Sequence, residues 1–230
     1  MNTGTLYGVG IGPGDPKLLT LRAVEVIRGN KVIAVPGEKA DDTVAYKIAV
    51  QAVPELAEKE LIALSMPMTK DKAVLEKNHD HAAERIEAYL RDGQNVVFLT
   101  LGDPTVYSTY LYVHKRVVAH GYPTEIVSGI TSFCAVAAKL DMGLVEKAQE
   151  LHVIPASYQI EEALKMPGTK VLMKAGRKIS EVKELLKAQG AEAMMIENCG
   201  MENEKIYNSV DEIPKNAGYY SLIIVKETKE

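Results

Sequence analysis

The chain has 230 residues, with 27 lysines and arginines against 31 aspartates and glutamates, which gives a formal net charge of −4. This balance argues against a general nucleic-acid binder, because such proteins are normally basic. Hydrophobic residues make up 47% of the sequence, yet no apolar run approaches the ~20 residues of a membrane span. We therefore expect a globular protein whose partners include neither a nucleic acid nor a membrane.

The cysteines and histidines give no sign of a metal site. Cys134 and Cys199 match no zinc-ligand spacing, and none of the five histidines pairs with a cysteine or carboxylate at such a spacing. The first residues contain no basic segment followed by an apolar stretch, so no signal peptide is predicted. We expect a cytoplasmic protein without a bound metal.

The first half alternates short apolar runs with amphipathic stretches. Apolar residues at helical spacing, Ala83, Ile86 and Leu90, predict one helix. The next amphipathic stretch predicts a second helix, which ends at Gly121. Strands alternating with helices predict a parallel α/β sheet. The predicted strands are residues 6–9, 32–35, 61–64, 96–101 and 125–127.

The second half carries fewer helices per strand, so a mixed sheet is expected there. Ile179, Val182 and Leu186 mark a helix that Gly190 can end. The turn signal Ser128-Gly129 suggests a boundary, which gives α/β domains at residues 1–128 and 129–230. The predicted strands of this half are residues 151–154, 171–173, 193–196, 204–207 and 219–225.

A glycine-rich loop, GVGIGPGDP at residues 8–16, follows the first predicted strand. Such a loop lets a ligand approach the backbone closely. A dinucleotide fingerprint would need a third glycine where Pro13 stands, and no Gly-Lys-Ser/Thr triplet supports a phosphate-binding P-loop. A purely structural alternative is a sharp turn in which Asp15 caps a helix that begins at Pro16.

Two more turns follow predicted strands. The second loop, LTLGDPTVYSTY at residues 99–110, leaves the most apolar strand, where open α/β sheets bind ligands. Asp103 can equally cap a following helix that Pro104 opens. The third turn, SGITS at residues 128–132, opens a helix rich in alanine.

These three motifs, taken in order, resemble the tetrapyrrole methylase family over essentially the whole chain. Four segments resemble the branch that methylates the macrocycle at C20: TLGDPTVYSTY, MPMT at residues 66–69, VLMKAGR at 171–177 and ENCGMENEKIY at 197–207. The resemblance implies S-adenosylmethionine as cofactor, a tetrapyrrole substrate, two α/β domains with the cofactor between them, and a homodimer. Many relatives have glycine after the methionine, where this chain has Lys174.

The resemblance also implies site residues. The expected cofactor contacts are Pro13, Leu101, Gly102, Asp103, Val106, Tyr107, Thr131, Ser132, Met173, Lys174 and Cys199. The glycine-rich loop would lie beside the substrate, and basic side chains would meet the substrate's carboxylates. The expected substrate contacts are Gly12, Gly14, Asp15, Lys17, Arg22 and Arg177.

The expected reaction needs no nucleophile from the protein, because the methyl donor is a sulfonium ion. If a group removes the C20 proton, Asp15, Asp103 and Tyr107 are candidates by position. Three other functions stay open: a different methylase of the same family, a dinucleotide-dependent oxidoreductase, and a binding module without catalysis.

Overall fold

A computed structural model of the chain describes residues 3–155 and 160–227, and the side chain of Arg177 lies outside the described part. The chain divides into two compact units between Thr131 and Ser132. Each unit contains a five-stranded sheet covered by helices. Two α/β units, one with a parallel and one with a mixed sheet, confirm the predicted fold class.

The first sheet is parallel throughout, in the order β3-β2-β4-β1-β5. All five predicted strands are present, and β4 is buried at every position, as its continuous apolar run predicts. Parallel strands place their carboxyl ends at one edge of the sheet. The strands are β1 (Leu6–Gly10), β2 (Val32–Pro36), β3 (Glu60–Leu64), β4 (Val96–Thr100) and β5 (Thr124–Val127).

Four α-helices connect these strands. Hydroxyl or carboxylate caps start the first three, because each accepts a hydrogen bond from a backbone amide of the first turn: Thr20 for α1, Thr43 for α2 and Asp71 for α3. The helices are α1 (Leu21–Gly29), α2 (Val44–Ala52), α3 (Lys72–Arg91) and α4 (Tyr110–Ala119).

The core of the first unit is built on both faces of the sheet. Helices α3 and α4 pack on one face, where Ile86 and Val113 meet Val96 and Phe98 in one cluster. Residues that alternate with these along the strands, such as Val97, are also fully buried. Helix α1 contacts β1 and α2 contacts β4. A two-faced core holds the strand ends rigidly.

The second sheet has the order β6-β7-β10-β8-β9, with only β6 and β7 parallel. Helix α5 packs on one face, against Val171 and Ile224, and helices α6 and α7 on the other, against Leu172 and Ile223. The elements are α5 (Ser132–Lys139), β6 (Leu151–Pro155), α6 (Ile160–Leu164), β7 (Thr169–Met173), α7 (Ile179–Ala188), β8 (Glu192–Glu197), β9 (Lys205–Tyr207) and β10 (Ser221–Lys226).

A helical turn begins at Pro16 with Asp15 as its cap, as the structural alternative for the glycine-rich loop predicted. Pro16–Leu18 is a single 3₁₀ turn, capped by Asp15, whose carboxylate accepts a hydrogen bond from the amide of Lys17 at 2.8 Å. The α-helix begins later, at Leu21, because Thr20 provides its own cap for the amide of Ala23 at 3.1 Å.

Asp103 caps no helix, and Pro104 opens none. The next helix begins at Tyr110, after a loop. The carboxylate of Asp103 accepts hydrogen bonds from Thr105 and Gly129 instead.

Within the described residues, no helix is long and apolar enough to cross a bilayer.

Candidate functional site

The glycine-rich loop, the second loop and the third turn follow β1, β4 and β5, and these strands are neighbours in the parallel sheet. Their carboxyl ends therefore lie together at one edge. Open α/β sheets bind ligands at this edge, because loops from several strands converge there. The structure thus brings the three sequence motifs of the first unit into one place.

The glycine-rich loop and the second loop are joined by a pair of backbone hydrogen bonds. Gly102 donates to the carbonyl of Gly12 at 2.8 Å, and Gly12 donates to the carbonyl of Gly102 at 3.3 Å. Both residues have a left-handed backbone conformation, with φ of 73° at Gly12 and 72° at Gly102. Glycine adopts this conformation without a steric cost, so the sequence requirement at both positions is conformational.

The third turn packs against both loops through bare backbone. A Cβ built on Gly129 would lie 2.2 Å from the carbonyl oxygen of Gly102 and 2.8 Å from Cα of Gly10. A Cβ on Gly10 would lie 2.6 Å from the amide nitrogen of Gly129. No side chain fits between these strands, so the three segments meet at van der Waals contact of their main chains.

A carboxylate completes this junction. Asp103 is 7% exposed. Its Oδ1 accepts hydrogen bonds from the amide of Thr105 at 2.7 Å and the hydroxyl of Thr105 at 2.5 Å, and its Oδ2 accepts one from the amide of Gly129 at 2.9 Å. The second loop and the third turn are therefore held together by a charge-assisted hydrogen bond.

Two threonine hydroxyls at this edge are buried without a hydrogen-bond partner among the described residues. They are Oγ1 of Thr100, at the end of β4, and Oγ1 of Thr131, in the third turn. A buried hydroxyl without a partner is costly, so each of these two groups needs a water molecule or a ligand to accept or donate a hydrogen bond. Thr131 is one of the expected cofactor contacts.

The other expected residues of these loops lie at the same edge. Pro13 and Gly14 are buried, and Leu101 and Val106 are half-buried. Tyr107 is 47% exposed and has a left-handed backbone with φ of 49°. A tyrosine in that conformation is uncommon, and such strain is concentrated at functional sites.

In the second unit, Met173 ends β7 and Cys199 follows β8. Both strands run antiparallel to β10, so their carboxyl ends lie at one edge of that sheet. Lys174 has φ of 60°, a conformation that favours glycine. Ser132 begins α5 in the same unit.

The basic residues expected to meet the substrate lie on the surface. Lys17 is exposed, and Arg22 is exposed with its Nη2 at 2.9 Å from the carboxylate of Glu125. The hydrogen bond to Glu125 raises the pKa of Arg22. The side chain of Arg177 lies outside the described residues.

Metal ligation is not evident in residues 3–155 and 160–227: no three histidine, cysteine, aspartate or glutamate side chains lie close enough to hold an ion. In the core, burial raises the pKa of Tyr110 well above its ordinary value.

Two contacts of the junction were not predicted from the sequence: those that Thr105 and the amide of Gly129 make with Asp103. An aspartate two residues before a threonine is a known local signal, because the carboxylate can accept from both donors of that threonine. The contact with Gly129 spans 26 positions and has no signal in the sequence. Thr100 was also missed, since a threonine in a buried strand is unremarkable by composition.

A parallel sheet with glycine-bearing loops joined at its carboxyl edge defines a class of small-molecule-binding α/β enzymes. Residues 5–214 match the model of the Tetrapyrrole (Corrin/Porphyrin) Methylases. The chain belongs to this family, as its three motifs indicated.

Two curated relatives match almost end to end. The probable cobalt-precorrin-2 C(20)-methyltransferase of Methanocaldococcus jannaschii is 35% identical, over 97% of this chain and 96% of the relative. The cobalt-precorrin-2 C(20)-methyltransferase of Salmonella typhimurium is 31% identical, over 99% of this chain and 98% of the relative.

Solved structures share the fold. The uroporphyrin-III C-methyl transferase of Thermus thermophilus, in complex with S-adenyl homocysteine, superposes with a TM-score of 0.72 at 22% identity, covering 97% of this chain and 98% of that one. At this level of identity the likeness establishes the fold.

Proposed function

We propose that this chain is an S-adenosylmethionine-dependent methyltransferase that methylates precorrin-2 or cobalt-factor II at C20 in cobalamin biosynthesis. The observation that carries the proposal is the junction of three loops at one sheet edge, in a family of tetrapyrrole methylases. Full-length relatives named for C20 methylation support the ring position.

The residues of this edge fit the proposed cofactor. The glycine-rich loop, the second loop and the third turn contain no lysine or arginine. Lysine and arginine are common phosphate-binding side chains, whereas S-adenosylmethionine has no phosphate and needs no such donor. The hydroxyl of Thr131 has no partner among the described residues and can bond a polar group of the cofactor.

When bound, S-adenosylmethionine supplies an activated methyl group on a sulfonium. The protein aligns the donor with the acceptor carbon and excludes water, so geometry provides most of the rate enhancement. We propose Pro13, Leu101, Gly102, Val106 and Tyr107 as first-unit cofactor contacts. In the second unit, we propose Ser132, Met173, Lys174 and Cys199.

The glycine-rich loop would lie beside the substrate, through Gly12, Gly14 and Asp15. Lys17, Arg22 and Arg177 would meet substrate carboxylates as charge-assisted pairs. Asp15 and Tyr107 stay as candidates for the group that accepts the C20 proton.

The first experiment is a thermal-shift titration with S-adenosylhomocysteine beside NAD. A ligand that binds only the folded protein stabilises it by about 2.7 kcal/mol at a hundredfold excess over Kd. We expect a shift with S-adenosylhomocysteine and none with NAD. A shift with NAD only would contradict the proposal.

The ring position is tested with precorrin-2 and S-adenosylmethionine labelled with ¹³C in its methyl group. We expect the label at C20. A label on another carbon would identify a different methylase of the family, and binding without product would indicate a module that does not catalyse methylation.

We further propose a homodimer in the cytoplasm, as the family resemblance implies. Size-exclusion chromatography with light scattering is expected to give twice the mass of one chain. A monomer at micromolar concentration would contradict the dimer.

A further inference from the structure

Asp103 occupies the centre of the loop junction, and its role follows from how its two oxygens are used. We propose that Asp103 is a positioning residue for the cofactor loops rather than the group that accepts the substrate proton. This inference rests on the proposed function, because it assigns a part of the same site. It concerns the link from Asp103 through Gly129 to Thr131.

Protein donors occupy both oxygens of the Asp103 carboxylate. Oδ1 accepts two hydrogen bonds from Thr105, and Oδ2 accepts the amide of Gly129 at 2.9 Å. The side chain is 7% exposed. A carboxylate that takes up a proton from a substrate would give up part of these bonds, and it would leave backbone donors without an acceptor.

The backbone segments around Asp103 are in close contact. Gly10 and Gly129 contact each other and the carbonyl of Gly102 through their main chains, and neither Gly10 nor Gly129 has room for a methyl group. Packing alone sets how close the strands come, but it does not fix how the third turn is oriented. The directional bond from the amide of Gly129 to Asp103 does so.

The hydrogen bond between the amide of Gly129 and Asp103 affects the proposed cofactor site because Gly129 is close in sequence to Thr131. Gly129 lies two residues before Thr131, whose buried hydroxyl has no partner among the described residues. Asp103 itself follows Gly102, the left-handed residue that pairs with the glycine-rich loop. Losing the bond would release the third turn, so it would weaken cofactor binding while leaving the chemical step unchanged.

The test is Asp103→Asn, which keeps the shape of the side chain and replaces one acceptor oxygen by an NH₂ donor. That NH₂ must face either the amide of Gly129 or the donors of Thr105. We expect the Kd for S-adenosylhomocysteine to rise about tenfold or more, equivalent to about 1.4 kcal/mol. The KM for S-adenosylmethionine should rise in parallel, with kcat and its pH profile close to wild type.

Asp71→Asn is the matched control. Asp71 is also an aspartate whose carboxylate accepts backbone amides, those of Ala73 at 2.9 Å and Val74 at 3.3 Å, but at the exposed start of α3. The Asp71→Asn substitution removes one negative charge from the first unit, as Asp103→Asn does. We expect the affinity for S-adenosylhomocysteine to stay at the wild-type value in this variant.

A second readout needs no ligand. Hydrogen exchange at the amide of Gly129, followed by NMR, should accelerate at least tenfold in Asp103→Asn and stay unchanged in Asp71→Asn. If wild type fails to bind S-adenosylhomocysteine, the proposed function fails, while this exchange measurement still tests the link between Asp103 and Gly129.

Three results would overturn the inference. One is wild-type affinity and wild-type Gly129 exchange in Asp103→Asn. Another is a collapse of kcat with KM unchanged and the acidic limb of the pH profile lost, which would make Asp103 the proton acceptor. If Asp103→Asn does not fold, Thr105→Ala removes one donor to the same carboxylate, and unchanged affinity and exchange there would also contradict it.

Discussion

The ring of Tyr110 lies directly over Gly8, since a Cβ built on Gly8 would stand 2.1 Å from Cζ of the tyrosine. Tyr110 is fully buried. The centroid of its ring lies 5.4 Å from the ring centroid of Phe98 and 5.5 Å from that of His114. Gly8 belongs to β1, next to β4 in the sheet. The first glycine of the sequence motif therefore makes space for a core side chain and is not part of the ligand-facing turn.

Gly8→Ala is expected to destabilise the protein by about 1–3 kcal/mol, because the added methyl group overpacks a closed core. Urea unfolding followed by circular dichroism measures the change. Gly29→Ala is the control: Gly29 ends α1, and a Cβ there meets no described atom within 4 Å. That substitution should be neutral or slightly stabilising. Equal effects of the two changes would refute the packing argument.

Gly129→Ala should break the loop junction. Its methyl group would lie 2.2 Å from the carbonyl oxygen of Gly102, so the third turn must move away. We expect the affinity for S-adenosylhomocysteine, measured by calorimetry, to fall at least tenfold. Gly143→Ala, where a Cβ meets no described atom within 4 Å, should bind as wild type does. Wild-type binding by Gly129→Ala would exclude the junction from the cofactor site.

Thr131→Val removes a buried hydroxyl that has no partner in the described part of the chain. The free protein should keep its stability or gain up to about 1 kcal/mol, since an unsatisfied buried group is lost. S-adenosylhomocysteine should nevertheless bind several-fold more weakly. Thr169→Val gives the contrast, because the hydroxyl of Thr169 donates to the carbonyl of Leu144 at 2.6 Å. That variant should lose about 1–2 kcal/mol of stability and bind normally.

The stability of the protein should fall as the pH drops below about 6.5. Burial of His79, together with nearby Arg116, lowers the pKa of this histidine from 6.5, against the opposing charges of Glu76 and Asp80. Between the folded pKa and 6.5, the unfolded chain binds more protons, so the free energy of unfolding rises with pH. One histidine contributes a slope of at most about 1.4 kcal/mol per pH unit.

His79→Phe tests this origin of the pH dependence. The ring of His79 stacks on Tyr112 at 4.6 Å, and phenylalanine can keep the stacking while removing the titrating group. Urea unfolding between pH 5 and 7 should show a shallower slope for this variant. His81→Gln, at an exposed position of the same helix, should leave the slope unchanged. The reverse pattern would contradict the assignment to His79.

Lys17→Gln tests the contact with substrate carboxylates. Lys17 is exposed just after the glycine-rich loop, whereas Arg22 is already paired with Glu125. We expect Lys17→Gln to raise the KM for the tetrapyrrole several-fold and Arg22→Gln to raise it less. Neither should change the Kd for S-adenosylhomocysteine. An unchanged KM in both variants would place the carboxylates elsewhere.

The sequence by itself determined the elements and their order. Apolar runs and helical spacing gave every strand of both sheets to within about two residues, because these patterns are local. The continuous run at Val96 predicted a strand covered on both faces, and β4 is buried throughout. Three ordered motifs indicated the family, which residues 5–214 match.

Only the tertiary structure decided what individual residues in the motifs do. Asp103 was equally suited to capping a helix, and it accepts an amide 26 positions away instead. Gly8 and Gly12 stand in one motif, yet one makes room for Tyr110 and the other adopts a left-handed turn. Local spacing encodes strands and helices, whereas a contact between distant loops exists only after the parallel sheet has brought its strand ends to one edge.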